Sequence, residues 1–160
     1  MPYIKNFIFG LLGASGALIA ELVASNLYFI FSGQEISLVY FEKITFFLIL
    51  VVVIEEVFKY VMLLKSCSPH KQNFLATILS FGLGFSLIEI IIALLNAPVT
   101  ENISPFILSI TGVFLLHLTT SGIIGSLIFS KKNTAPLSIT MTLLAASGLH
   151  LLYNLLIIYN

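Results

Sequence analysis

Glu55, Glu56 and Lys59 stand in the run Ile44–Leu64 (ITFFLILVVVIEEVFKYVMLL), where the eleven residues before Glu55 are all apolar except Thr45. Two adjacent carboxylates and an ammonium in such a run cannot form a solvated face. An isolated charge is costly to bury in hydrocarbon, so charges found there are paired or functional. The chemistry open to them is proton transfer at a buried carboxylate or the binding of a cation. Elsewhere the apolar runs carry few polar groups that could join them: Glu21, Glu89, His117, His150 and Asn154.

The elements that must position these groups follow from composition. Of 160 residues, 59% are hydrophobic and 9% charged, and the mean hydropathy is +1.11. Soluble domains carry about 25% charged residues, so this chain could not cover its surface with polar groups. The composition predicts an integral membrane protein. Five apolar runs, Ile4–Phe31, Ile44–Leu64, Phe74–Leu95, Ile103–Phe129 and Leu137–Tyr159, each reach the ~20 residues that span ~30 Å of hydrocarbon. The expected fold is therefore all-α, a single polytopic membrane helix bundle over residues 1–160 with five spans. All seven acids are Glu and all seven bases Lys, too few and too scattered for a phosphate-binding stripe, which excludes nucleic acid as a partner. One cysteine, Cys67, excludes a disulfide framework and a CxxC site.

The lysines orient the bundle. With the N-terminus cytoplasmic, Lys5, Lys65, Lys71, Lys131 and Lys132 all fall inside and only Lys43 outside, alongside Glu35, Glu42 and Glu101. The positive-inside rule then predicts the N-terminus in and the C-terminus out. The first run has a basic flank at Lys5 and a cleavage-like Val23-Ala24-Ser25, but its apolar stretch exceeds the 7–15 residues of a signal-peptide core. It also carries Gly10, Gly13, Ala14, Gly16 and Ala17, which suit close helix contact. It is expected to be a retained first helix.

Counted from the outer end of each span, Glu55 lies 11 residues from Ile44, Glu89 lies 6 from Leu95, His117 lies 12 from Pro105 and His150 lies 9 from Tyr159. At ~1.5 Å per residue the four groups share one layer, ~9 Å deep, between the midplane and the outer surface. Faces agree too. Lys59 can reach back one turn to neutralise a carboxylate, and His150 and Asn154 share a stripe. His117, Ser121 and Gly125 form another line, and Gly82 and Ser86 lie beneath Glu89. Singly, each polar residue has an ordinary role: an intramembrane His hydrogen-bonds a neighbouring helix, and Thr119, Thr120 and Ser121 bond back to their own. Glu21 has no companion pattern and reads as a helix-packing or supporting carboxylate. Jointly, two histidines and three glutamates in one layer point to a site.

Four motifs, each on its own span, are EExxK (Glu55–Lys59), FxxxE (Phe85–Glu89), HxxxSGxxG (His117–Gly125) and HxxxN (His150–Asn154). In this order they resemble the PrsW family of intramembrane proteases, relatives of the type II CAAX prenyl endopeptidases and the wider CPBP group. The resemblance covers residues 44–159, the expected catalytic core, and leaves out the first helix over 4–31. It implies a peptidase of the prokaryotic cell membrane acting on a membrane-associated protein, such as an anti-sigma factor. By position, Glu55 matches the glutamate that activates water, and His150 and Asn154 match the pair facing the oxyanion. Glu89 stands where the CAAX endopeptidases have a histidine, and His117 matches a histidine of the PrsW branch. Two features depart from the wider group: a single span precedes EExxK, and Lys59 stands one place earlier than the arginine of EExxxR.

Peptide hydrolysis needs a base for water, donors for the tetrahedral oxyanion and an acid for the leaving amine. Glu55 is the expected base, with Glu56 and Lys59 setting its charge environment. Glu56 is open to three roles: ligand, supporting anchor or counter-ion to Lys59. His150 and Asn154 would donate to the oxyanion, and His117 or Glu89 would position the water or protonate the amine. Glu89, His117 and His150 also form a ligand set for zinc, with Glu55 still the base. No HExxH spacing decides between a glutamate-type and a metal-dependent reaction; the presence of both Glu89 and His117 in the PrsW branch tilts the reading towards metal. Two other classes compete. A proton-coupled transporter would place Glu and His at midplane but usually shows repeats and broken helices, which are not visible. A non-catalytic member serving bacteriocin immunity or as an adaptor would keep the same motifs.

Overall fold

The computed structural model describes residues 2–32, 46–67, 73–96, 104–130 and 135–158. They form five helices: α1 (Pro2–Ser32), α2 (Phe46–Ser66), α3 (Phe74–Asn96), α4 (Ser104–Phe129) and α5 (Pro136–Ile158). Each predicted run is therefore a helix, with ends displaced by no more than two residues. The protein is an all-α helix bundle. Lys5 and Lys65 lie at the ends of α1 and α2, whereas Lys43, Lys71, Lys131, Lys132, Glu35, Glu42 and Glu101 lie outside the described residues.

Helices α1, α3, α4 and α5 are long and apolar enough to cross a membrane. Helix α2 is of similar length, 21 residues, but carries Glu55, Glu56 and Lys59. Its side chains sort by face. Val52, Glu55, Glu56, Lys59, Leu63 and Ser66 are buried, whereas Phe46, Ile49, Val53, Val57, Val61 and Leu64 are exposed. The outer face is thus apolar and the inner face charged, the reverse of a soluble helix. Other outer positions agree: Phe31 and Leu95 are more than three-quarters exposed, while Lys59, Glu56 and His117 are fully buried. A surface of this kind is stable only against lipid, and the chain is an integral membrane protein.

The helices close into a ring in the order α1, α3, α4, α5, α2, and α2 also touches α4 across it. On one side of the polar layer, Ala14, Ala17, Leu63, Ile78, Phe81 and Phe85 form the apolar core. Helices α1 and α3 approach backbone to backbone there. A Cβ on Gly10 would collide with the Phe81 carbonyl oxygen, and one on Gly84 with that of Phe7. Without a side chain at either position, dispersion contacts can form along the whole seam, which is how helices associate in lipid. On the α3–α4 side Gly125 admits the Ile78 side chain and Gly82 packs against Leu118, the close contact expected of the small residues below His117 and Glu89.

Candidate active site

Lys59 anchors one part of the polar layer. Its Nζ donates to Glu56 Oε1 at 2.6 Å and to Thr120 Oγ1 at 3.0 Å, and lies 4.7 Å from the centroid of the Phe85 ring. The ammonium therefore pairs with the carboxylate three residues back, not with Glu55, four back. Glu56 Oε1 also meets His150 Nδ1 at 2.7 Å. A carboxylate already facing an ammonium takes N–H donors, so it holds His150 as the Nδ1–H tautomer and turns Nε2 inward. That Nε2 lies 3.8 Å from Glu55 Oε2. Of the roles left open for Glu56, counter-ion to Lys59 and anchor of His150 are the two its contacts describe.

The second part joins α3 and α4 to Glu55. His117 Nε2 and Glu89 Oε2 are 2.6 Å apart, and ligand-type atoms of Glu55, Glu89 and His117 all lie within 4.8 Å of one another. Phe85, the first residue of FxxxE, packs against His117 with ring centroids 5.2 Å apart, and the His117 and His150 rings meet edge to face at 5.5 Å. Phe85, itself part of the apolar core, thus brings that core against both Lys59 and the His117 ring. Glu55 Oε2, Glu56 Oε2, His117 Nδ1 and Ser121 Oγ are buried and without a hydrogen-bond partner among the described residues. Buried polar atoms are ordinarily satisfied, so these atoms are unspent capacity in the cluster.

The structure brings together five of the six predicted catalytic residues: Glu55, Glu56, Glu89, His117 and His150. Asn154 is half-buried on α5, four residues beyond His150, and among the described residues no hydrogen bond ties it to the cluster. Of the predicted metal set Glu89, His117 and His150, the first two lie together, and Glu55 is the third donor of the compact group, with His150 Nε2 facing Glu55.

Two residues have more to do than the sequence reading assigned. Thr120 accepts from Lys59 while lying 3.5 Å from the His117 carbonyl oxygen; its place three residues after His117, on the same face, was the available signal. Thr119 does bond back to Leu115 O, at 2.7 Å. Glu21 lines a cavity shared with Glu55 and Glu89, which brings α1 to the site although the catalytic core was expected to begin at residue 44. No family model, no curated protein and no solved structure matches this chain.

Proposed function

We propose that this protein is an intramembrane protease that hydrolyses a peptide bond in a membrane-associated protein, using a water activated at Glu55. The observation that supports this reading is the convergence of Glu55, Glu89, His117 and His150 from four helices, with Glu55 Oε2 buried and without a partner. A general base must present an unused lone pair within reach of the water it deprotonates. Glu56 also has an oxygen, Oε2, without a hydrogen-bond partner among the described residues, but its Oε1 is held by the Lys59 ammonium and by His150, which makes it the weaker base.

In the reaction, the water oxygen attacks the scissile carbonyl carbon while its proton passes to Glu55. Donation to the resulting oxyanion falls to the side-chain amide of Asn154, one turn beyond His150, because the Nε2 that His150 turns inward presents a lone pair. Protonated Glu55, or His117 through Glu89, delivers the proton to the departing amine as the C–N bond breaks. Glu56 and Lys59 act from behind, fixing the ring of His150 against Glu55.

The donor set also fits a divalent cation such as zinc. Glu55, Glu89 and His117 offer ligand atoms within 4.8 Å of one another. His150 turns Nε2 inward while its other nitrogen sits on a carboxylate, the pattern of a metal-ligating imidazole. Such an ion supplies water activation and carbonyl polarisation. The orientation that goes with this proposal is N-terminus in and C-terminus out in a prokaryotic cell membrane. The site then opens nearer the outer surface, where an anti-sigma-like single-span protein is the fitting substrate.

Quantitative membrane proteomics of wild type against Glu55→Gln tests the reading. The expected result is one membrane protein that accumulates uncut, with the variant inserted at wild-type level. Unchanged processing together with an unchanged phenotype would favour a non-catalytic adaptor. Full cleavage by a metal-free, phenanthroline-treated preparation would remove the metal-dependent version and leave the glutamate-type one.

A further inference from the structure

The first helix lies outside the motif-bearing core, yet its small-residue face ends in a carboxylate. Gly10, Ala14, Ala17 and Glu21 follow one another at spacings of four, three and four residues, which keeps them on one stripe of α1. Gly10, Ala14 and Ala17 let α1 settle against α3, and Glu21, one turn on, is carried to the edge of the polar layer. There a cavity of about 30 Å³ is lined by Glu21, Glu55 and Glu89, with Ala14, Ala17 and Phe85 among its apolar walls. A water needs about 10–15 Å³ by the same measure, so the space suits a single small ion with at most one water.

A charge count asks for a cation in it. The layer holds four carboxylates, Glu21, Glu55, Glu56 and Glu89, and one ammonium, Lys59. Lys59 is bound to Glu56 at 2.6 Å, so the pair closes on itself. The three carboxylates that line the cavity come from α1, α2 and α3; Glu89 meets the His117 imidazole at 2.6 Å and Glu55 faces that of His150 at 3.8 Å, but none is paired with an ammonium among the described residues. Like charges brought together out of water repel strongly unless a cation or protons compensate them. A second observation points the same way: Glu55 is about nine-tenths buried, lines this cavity, and its Oε2 has no hydrogen-bond partner among the described residues.

We propose that Glu21 is a ligand-side residue of a divalent-cation site formed with Glu55, Glu89 and His117, so that α1 is a working part of the site and not only a membrane anchor. This rests on the metal-dependent version of the function proposed above. The cation is of the borderline-to-hard class that accepts carboxylate oxygens with one imidazole, zinc or manganese being the natural choices. Glu21 lines the cavity but stands outside the group whose ligand atoms lie within 4.8 Å of one another, so it reaches the ion through one water.

The test uses the full chain, purified in micelles, stripped with a chelator and titrated with zinc and, separately, with manganese. Bound metal per chain and the shift in Tm are both read. Wild type should bind one ion per chain and gain Tm. Glu21→Gln, equal in size and uncharged, should weaken binding at least tenfold, and Glu21→Asp, which keeps the charge on a shorter arm, by less. Glu89→Gln and His117→Ala should lose the same binding event, which ties it to this cavity. The proposal is overturned if Glu21→Gln binds as wild type does, if binding survives Glu89→Gln, or if wild type takes up neither metal, which would leave protons as the compensating charge. Should Glu21→Gln fail to fold, Glu21→Asp decides, and an affinity equal to wild type refutes the assignment. Cleavage is scored separately: Glu21-dependent metal binding without any substrate accumulation in Glu55→Gln would keep the site and discard the peptidase.

Discussion

Within one polar layer, Glu56 and Glu55 are neighbours in sequence and opposites in circumstance. Around Glu56 the contacts gather on one oxygen, Oε1, which Lys59 and His150 both meet, while Lys59 also reaches Thr120, Phe85 covers the ammonium and Oε2 is left without a hydrogen bond among the described residues. Around Glu55 they stay looser: Oε2 has no hydrogen bond and only His150 Nε2 at 3.8 Å, Glu89 and Glu21 face the same small cavity, and His117 keeps Nδ1 unused. A closed network in a low-dielectric interior mainly holds helices in register. An open one has lone pairs to offer to something else. The difference teaches that the paired glutamates of EExxK stand in unlike surroundings, and under the proposed function one serves structure and the other chemistry.

The largest effect expected from breaking this division is on the closed side. Lys59→Met leaves the buried Glu56 without its cation and should cost about 3–5 kcal/mol of stability, read by unfolding in micelles. Adding Glu56→Leu should recover most of that loss, because the uncompensated charge goes with it. A loss below about 1 kcal/mol for Lys59→Met alone would mean that the closed network does not hold the helices. On the open side the sign of the trade reverses. Glu55→Gln should leave stability within about 1 kcal/mol of wild type, because the contact it weakens, with His150 Nε2 at 3.8 Å, is longer than a hydrogen bond, while substrate cleavage falls about 10²–10⁴-fold. A strongly destabilised Glu55→Gln protein would erase the distinction between the two residues.

Thr120→Val sharpens the comparison at lower amplitude. It keeps the shape and removes one acceptor from Lys59, and should cost about 1.5–3 kcal/mol without the loss of cleavage expected of Glu55→Gln. The smallest effect is expected away from both halves. Gly148 has open space where a Cβ would be, so Gly148→Ala should stabilise α5 by about 0.5–1 kcal/mol through backbone entropy. A destabilising result, in the same unfolding assay, would show that the outer face of α5 is covered by something the bundle itself does not supply.

Much of the bundle was legible in the chain. Ile4–Phe31 and its four successors could be read as helices because spanning hydrocarbon demands one long apolar run per crossing, and their ends fell within two residues of α1 to α5. The common depth of Glu55, Glu89, His117 and His150 was legible for a similar reason: a fixed rise per residue turns a count into a height. Glu21 was not, although it stands at a similar count from its span end. Nothing in α1 alone says which way its stripe faces, and only contact through Gly10 and Gly84 turns it towards α3. Thr120 was hidden because a threonine within a membrane helix ordinarily satisfies its hydroxyl on its own backbone, as Thr119 does.

The sequence by itself determined the number of helices, their length and the fact that their charges must face inward, because hydrocarbon tolerates neither short spans nor solitary charges. Only the tertiary structure decided which partner each charge meets. Residues 55 and 56 leave a helix about 100° apart, so their neighbours differ apart from His150, which meets both. Packing of α1, α3, α4 and α5 around α2 gave Lys59, Thr120 and His150 to Glu56, and the open cavity with Glu21 and Glu89 to Glu55.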